Sequence, residues 1–280
     1  MVCSFTLLYS FNHIINHSLY SCSKVQIKNS SYQKYYKLKN INDISTKAPD
    51  GINKPSANKQ LKKLEMRIFE LQNLFYAEGK HALLIILQGM DTSGKDGTIR
   101  HVFSCINPQG CIVKSFKTPT EEEKLHDFLW RIYGNLPEKR MIEIFNRSHY
   151  EDILFPVVHG LLDKKEIQER HETINKFEEH LQNSGTIILK FFLHISKEEQ
   201  NKRLGKRLTN PEKKWKYNAG DKKEAKKWHD YMDAYQNVLD GCGKHNSWIV
   251  VPADNKWYRN YLVANTIVET LENLKMKYPK

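Results

Sequence analysis

The sequence predicts an α/β fold, a parallel sheet of about five strands with helices on both faces, and three observations carry the prediction. Residues 81–88 form a short, branched, apolar run that leads straight into the glycine-framed turn from Gly89 to Gly97 and then into a helix-compatible stretch, 98–103. Similar short runs recur at 111–116, 141–145, 186–193 and 247–251. The stretches between them carry apolar residues at helical spacing, and strands separated by helices pair in parallel.

The elements follow in order. Between 56 and 79, Leu61, Leu64, Ile68, Leu71, Leu74 and Phe75 recur at three- and four-residue spacing, which predicts an amphipathic helix that Ser56 caps and Gly79 ends. After the strands at 81–88 and 111–116, Thr120 and Glu123 form a capping box opening a helix that carries Phe128, Leu129, Trp130 and Arg131. The third strand, 141–145, ends at Asn146-Arg147-Ser148. Helical pattern fills the 150s and 163–183, and the fourth strand is 186–193. Ser196 caps a helix to about residue 208, Asn210-Pro211 marks a loop, and another helix spans 221–239. After the strand at 247–251, Asp254 caps a last helix to about residue 274. Residues 1–45 are expected to be a poorly ordered extension. The first 42 lack Asp and Glu, and they have neither the basic start of a secretory signal nor the arginines of a transit peptide.

The chain has 280 residues and a formal net charge of +12, which fits a polyanionic partner such as nucleic acid, a membrane surface or polyphosphate. Its five cysteines, Cys3, Cys22, Cys105, Cys111 and Cys242, are odd in number and lack C-x-x-C spacing, which favours a reduced, cytoplasmic protein. No apolar run reaches the length of a membrane span.

The turn after the first strand is a phosphate loop. Gly89, Gly94 and Gly97 let the backbone curl around an anion, Thr92 and Ser93 contribute N–H groups, and Lys95 adds a point charge at the start of a helix. Where the common G-x-x-x-x-G-K-[ST] pattern has a hydroxyl, this chain has Asp96, and Asp91 is a second acid inside the loop. Two carboxylates repel a phosphate chain unless a divalent cation lies between them, so Asp91 with Asp96 or Glu151 is the expected seat for Mg²⁺, with Mn²⁺ as a substitute. In a parallel sheet the loops beyond the strand carboxyl ends converge. Lys117, Asn146, Arg147 and the arginines beyond Ser196 should therefore face this loop. From 197 to 227 Lys and Arg outnumber Asp and Glu by more than two to one, which is the position of a mobile lid. Phosphoryl transfer needs alignment and positive charge rather than a strong base, so no histidine is assigned a catalytic role, and His149 is read as a packing or hydrogen-bonding residue.

With these residues in view, the chain resembles the polyphosphate kinase 2 family over about 56–274. Gly-Met-Asp-x-x-Gly-Lys-Asp-Gly, Asn107-Pro108-Gln109-Gly110, Phe145-Asn146-Arg147-Ser148-His149-Tyr150-Glu151, Asn210-Pro211-Glu212-Lys213-x-Trp215-Lys216 and the segment from Pro252 to Asn260 occur in that order. The resemblance implies a P-loop kinase fold related to thymidylate kinases, with a helical lid over 197–227. It also implies reversible, Mg²⁺-dependent phosphoryl transfer between inorganic polyphosphate and AMP, ADP or ATP. By the same resemblance Asp91 positions metal and phosphate, Lys95 neutralises the transferring group, Arg147 holds phosphate, and Arg203 and Arg207 are lid arginines. Asn146, where other branches carry Asp, resembles the branch that accepts both AMP and ADP, with metal duty moved to Asp91 and Glu151. In related kinases the helix with Trp130 and Arg131 borders the acceptor, so Arg131 is either a phosphate contact or a surface ion pair. Relatives suggest a homotetramer or dimer. An ATP-dependent nucleoside monophosphate kinase shares the fold, but Asp96 and so basic a lid argue against it. A nucleic-acid-binding module would need a motif and interleaved aromatics that are missing, and neither nucleic acid nor membrane is an expected partner.

Overall fold

The computed structural model describes residues 40–214, 219–244 and 246–280. Five strands, β1 (Ala82–Gln88), β2 (Cys111–Ser115), β3 (Ile142–Asn146), β4 (Thr186–His194) and β5 (Trp248–Pro252), form one sheet in the order β2-β3-β1-β4-β5. Every pairing is parallel, with Leu83 opposite Ile142 on one side and Ile187 on the other. The central β1 is buried at every position, which is why its sequence is continuously apolar rather than alternating. From β1 the chain crosses to β2 at one edge, returns to β3, and then moves to β4 on the far side. That reversal at β1 opens a crevice beyond its carboxyl end.

Helices α1 (Lys54–Glu78), α2 (Lys95–Val102) and α11 (Lys256–Asn273) pack together on one side of the sheet. On the other side lie α5 (Glu151–Val158), α6 (Lys164–Asn183) and α10 (Trp228–Gly241). Between β2 and β3 come α3 (Glu121–Lys124) and α4 (Trp130–Tyr133), and between β4 and α10 come α7 (Lys197–Thr209), α8 (Pro211–Lys214) and α9 (Ala219–Lys226).

Several boundaries differ from expectation for local reasons. The cap of α1 is Asn53, whose side chain accepts the N–H of Ser56 (2.9 Å), and Pro55 in the first turn suits that start. Gly79 ends α1 in the left-handed region at φ 67°. The Thr120–Glu123 capping box forms, but its helix lasts one turn before the Asp127 side chain takes the N–H of Leu129 and α4 begins separately. The helix expected over 221–239 is broken at Lys227, and α8 occupies the expected loop after Asn210. Asp254 does not cap α11. Its carboxylate accepts the N–H of Ser196 and the hydroxyl of Thr46 (both 2.8 Å), and Asn255 precedes the helix with its side chain on the N–H of Ala48 (2.9 Å). Pro156 inside α5 leaves the carbonyl of Asp152 without its helical donor, and Arg170 donates to that carbonyl instead.

The chain is docked from Asn40, ahead of the expected boundary at 46. Ile41 is buried with its N–H on Gln236 Oε1 (2.6 Å), and Ile44 O meets His194 Nε2 at 3.1 Å. The rest of the expected extension, 1–39, and Trp215-Lys216 lie outside the described residues. No helix among the described residues is long and apolar enough to cross a membrane.

Candidate active site

The loop from Gly89 to Gly94 bends through three positive-φ residues, Gly89 (147°), Thr92 (64°) and Gly94 (107°). At Gly89 the bend also brings the backbone against β4, since an added Cβ would lie 2.7 Å from Leu193 O. Lys95 opens α2, is 8% exposed, and folds its ammonium back onto the carbonyls of Gly89 (2.6 Å) and Met90 (3.3 Å). Burial, reinforced by Arg147, pulls its pKa down to about 8 against the opposing pull of Asp91, Glu151 and Asp96.

Each loop acid meets a residue from the end of β3. Arg147, itself at φ 63°, donates from Nη2 to Asp91 Oδ1, and Asn146 donates from Nδ2 to Asp96 Oδ1, both at 2.8 Å. Burial works against the Arg147 charge, but Glu151 and Asp91 outweigh it and raise its pKa. Below the Arg147 turn, Tyr150 is tied into the protein interior. Its hydroxyl donates to Glu178 Oε1 and accepts from Lys190 Nζ (2.9 Å), while Lys190 also donates to Glu178 Oε2 and to Cys242 O (both 2.6 Å). His149 packs against the rings of Tyr150 and Phe177, as the sequence suggested.

The strand ends enclose a cleft of about 800 Å³, whose walls include Asp91, Thr92, Gly94, Lys95, Asp96, Gly97, Lys117, Asn146, Arg147, Arg203 and Arg207. Four expected residues stand behind these walls. Gly89 holds Lys95 through its carbonyl, Ser93 is fully buried, and neither Arg131 nor Glu151 lines the cleft. Arg131 is not at the surface and stands behind the cleft wall. It is 7% exposed, bridges Lys117 O (2.9 Å) and Asp152 Oδ2 (2.8 Å), and so pins the strand end that presents Lys117. Arg203 is not a mobile lid cation. At 9% exposure it donates from Nε to Glu199 (2.8 Å), from Nη1 to the carbonyls of Thr92 (3.0 Å) and Ser93 (3.1 Å), and from Nη2 to those of Ala253 (2.8 Å) and Asp254 (2.9 Å). All the donors of the guanidinium are engaged, and those on Nη1 and Nη2 hold the loop to the end of β5. Arg207, one turn further along α7, does line the cleft.

Among the described residues no three His, Cys, Asp or Glu side chains stand close enough together to cage a metal ion. Of the three acids expected to hold metal, Glu151 is not on the cleft wall. Its carboxylate lies under the loop, where Oε1 accepts from the Gln88 amide (2.9 Å), and burial raises its pKa against Arg147 and Lys95. Asp91 and Asp96 remain, two hard oxygen donors on the cleft wall. They fit an ion of the Mg²⁺ type, which keeps waters and is held by one or two carboxylates together with substrate phosphates.

The cleft also contains residues to which the sequence reading gave no role, namely Arg100, His101, Lys206, Lys256, Trp257, Arg259 and Asn260. The segment from Pro252 to Asn260 carried a signal as a family-like stretch, but its place beside the phosphate loop depends on β5 lying next to β4, which spacing along the chain does not reveal.

The family model described as Polyphosphate kinase 2 (PPK2) matches residues 51–279. The AMP/ADP-polyphosphate phosphotransferase of Meiothermus ruber is 47% identical over 246 residues, covering 88% of this chain and 92% of that protein. The ADP-polyphosphate phosphotransferase of Rhodopseudomonas palustris is 47% identical over 227 residues, covering 76% and 78%. The crystal structure of polyphosphate kinase 2 from Arthrobacter aurescens TC1 superposes with a TM-score of 0.85 at 40% identity, covering 90% of this chain and 92% of that one. A phosphate loop at the sheet's reversal point, faced by Asn146 and Arg147 and roofed by a basic helix, accords with these matches, and the chain belongs to the polyphosphate kinase 2 family, as an enzyme with a P-loop kinase fold.

Proposed function

We propose that the protein transfers phosphoryl groups from inorganic polyphosphate to AMP and to ADP, reversibly and with Mg²⁺. The observation that carries this reading is the cleft, in which one phosphate loop with two acids, Asp91 and Asp96, is surrounded by cations from four separate chain segments, Lys95, Lys117, Arg147 and Arg207. The Meiothermus ruber relative carries AMP, ADP and polyphosphate in its name, and the Rhodopseudomonas palustris relative carries ADP and polyphosphate.

Phosphoryl transfer proceeds through a loose transition state in which negative charge spreads over the equatorial oxygens, so the protein's part is alignment and positive charge. The loop N–H groups and Lys95 hold one end of the phosphate chain, and Arg147, oriented by Asp91, faces it from β3. A nucleotide phosphate is already ionised at neutral pH, so the reaction asks no general base of His101 on the cleft wall. When bound, Mg²⁺ would be held by Asp91 and Asp96 and would neutralise phosphate charge beside the loop. Asn146 keeps the Asp96 carboxylate oriented by its amide without adding a charge of its own. Helices α7 and α8 roof the cleft through Lys206, Arg207 and Glu212 and exclude water that would hydrolyse the donor. A cytoplasmic location accords with the free thiols of Cys105, Cys111 and Cys242, and a homo-oligomer is the expected assembly.

A coupled assay with purified protein, Mg²⁺ and long-chain polyphosphate, and with no ATP added, tests the proposal. ADP formed from AMP and ATP formed from ADP are the expected products. Activity on ADP alone would overturn the acceptor argument from Asn146. Transfer to AMP from ATP but not from polyphosphate would make the protein an ordinary nucleotide kinase.

A further inference from the structure

We propose that Arg259 is a positioning residue for phosphoryl transfer, bracing the phosphate loop from behind with a buried guanidinium whose charge only a bound phosphate chain compensates. The inference rests on the phosphate-loop reading above and concerns a residue outside the loop, the β3 turn and the lid.

Arg259 lies in the first turn of α11 and is 1% exposed, yet it borders the cleft. Its Nη1 donates to Ser93 O (3.0 Å), while Nε and Nη2 donate to the side-chain oxygen of Asn260 (3.2 and 2.9 Å). Arg203 Nη1 reaches the same Ser93 carbonyl at 3.1 Å, so two guanidinium groups grip one peptide of the loop. Holding that carbonyl backward constrains the peptide that joins it to the N–H of Gly94, in the stretch whose N–H groups receive phosphate. The glycines make room for this contact. A Cβ on Gly94 would lie 1.9 Å from Arg259 Nη1, and one on Gly97 would lie 3.3 Å from Nη2. Gly94 therefore serves the bend at φ 107° and also the approach of Arg259.

The electrostatics point the same way. Arg203 has Glu199 as a partner, but among the described residues the guanidinium of Arg259 meets a carbonyl and an amide oxygen, with no carboxylate. Burial, with the nearby Arg203 adding to it, pulls its pKa down to about 9. A cation buried without an anion is costly for a protein to keep. A polyanion in the adjoining cleft relieves that cost, so part of the protein's affinity for phosphate is drawn from this buried charge.

Three variants test the proposal. Arg259→Met keeps the bulk and removes the charge, Arg259→Lys keeps a charge and removes the fork, and Arg259→Ala leaves a hole that free guanidinium can enter. The proposal expects kcat to fall and the KM for polyphosphate to rise in Arg259→Met, for a combined loss of about a hundredfold, with Arg259→Lys recovering only part. Arg259→Ala should regain activity in millimolar guanidinium, at concentrations that leave the wild type unchanged. Calorimetric titration with inorganic tripolyphosphate should show about tenfold weaker binding to Arg259→Met. Wild-type kcat, KM and tripolyphosphate affinity in Arg259→Met would overturn the proposal. So would activity that falls only in step with the folded fraction, with no rescue by guanidinium. The binding titration does not depend on turnover, so a wild type that binds tripolyphosphate but transfers nothing would count against the proposed reaction and leave Arg259 still under test.

Discussion

Lys95 shows how one side chain depends on its surroundings. Its ammonium is buried, faces Arg147's charge, and is satisfied by two carbonyls of its own loop. Lys95→Ala should remove transfer, by about a thousandfold or more, while the unfolding midpoint stays within a few degrees, as measured by the coupled assay and by thermal denaturation. Substantial remaining activity would remove the phosphate-loop assignment. A second residue links pH to stability. Glu143 on β3 is buried beside the β2 edge, and burial, opposed by Lys114, lifts its pKa from 4.5 to about 7. A carboxyl whose folded pKa lies above its unfolded one holds its proton more tightly when folded, so its contribution falls as pH rises from 4.5 through about 7 and stays low above that. Glu143→Gln should therefore be more stable than wild type by about 2 kcal/mol at pH 8, with the gain gone at pH 4, as read from urea denaturation at the two pH values. The places of Lys95 and Asp91 in the cleft were legible in the sequence because a phosphate loop has fixed spacing, and that of Arg147 because it follows a strand of the same parallel sheet. The partners of Arg131 and Arg203 were not, since a surface-type residue becomes a buried brace only through contacts with distant segments.

At the scale of elements, α7 divides its two arginines between different tasks. Both line the cleft, but Arg203 is buried and bonds to the phosphate loop, Glu199 and the end of β5, whereas Arg207, one turn later, is only partly buried. Arg207→Ala should reduce turnover about ten- to a hundredfold and change stability by less than about 0.5 kcal/mol. Arg203→Ala should cost about 2–4 kcal/mol, because it strips the donors from buried carbonyls, and chemical denaturation of the two variants side by side checks the contrast. Equal stability losses would place both side chains in the same environment and contradict the division. Element existence was legible from hydrophobic period, and all five strands lie where their apolar runs predicted. Element ends were less so. Asn53 rather than Ser56 caps α1, and Asp254 serves Ser196 and Thr46 rather than α11, because a capping side chain also has tertiary partners to choose from.

Across the whole molecule, the reversal of strand order at β1 brings four loops to one place, and the buried Lys190–Glu178–Tyr150 network fastens the β3 turn to β4 and α6. Lys190→Met would leave the Glu178 carboxylate buried without its cation and should destabilise the protein by about 3–5 kcal/mol in urea denaturation. A neutral result would show that the network adds nothing to the fold. The parallel sheet was legible from the alternation of elements. Strand order was not, and with it went the placement of Arg259 and Lys256 beside the loop. The most direct test of the central claim follows the phosphorus atoms themselves. In ³¹P NMR of the wild type with polyphosphate, AMP and Mg²⁺, the β-phosphate resonance of ADP should grow as internal polyphosphate signal is lost, and neither change should occur with Lys95→Ala. Polyphosphate signal that stays constant while ADP appears only after ATP is supplied would contradict the account.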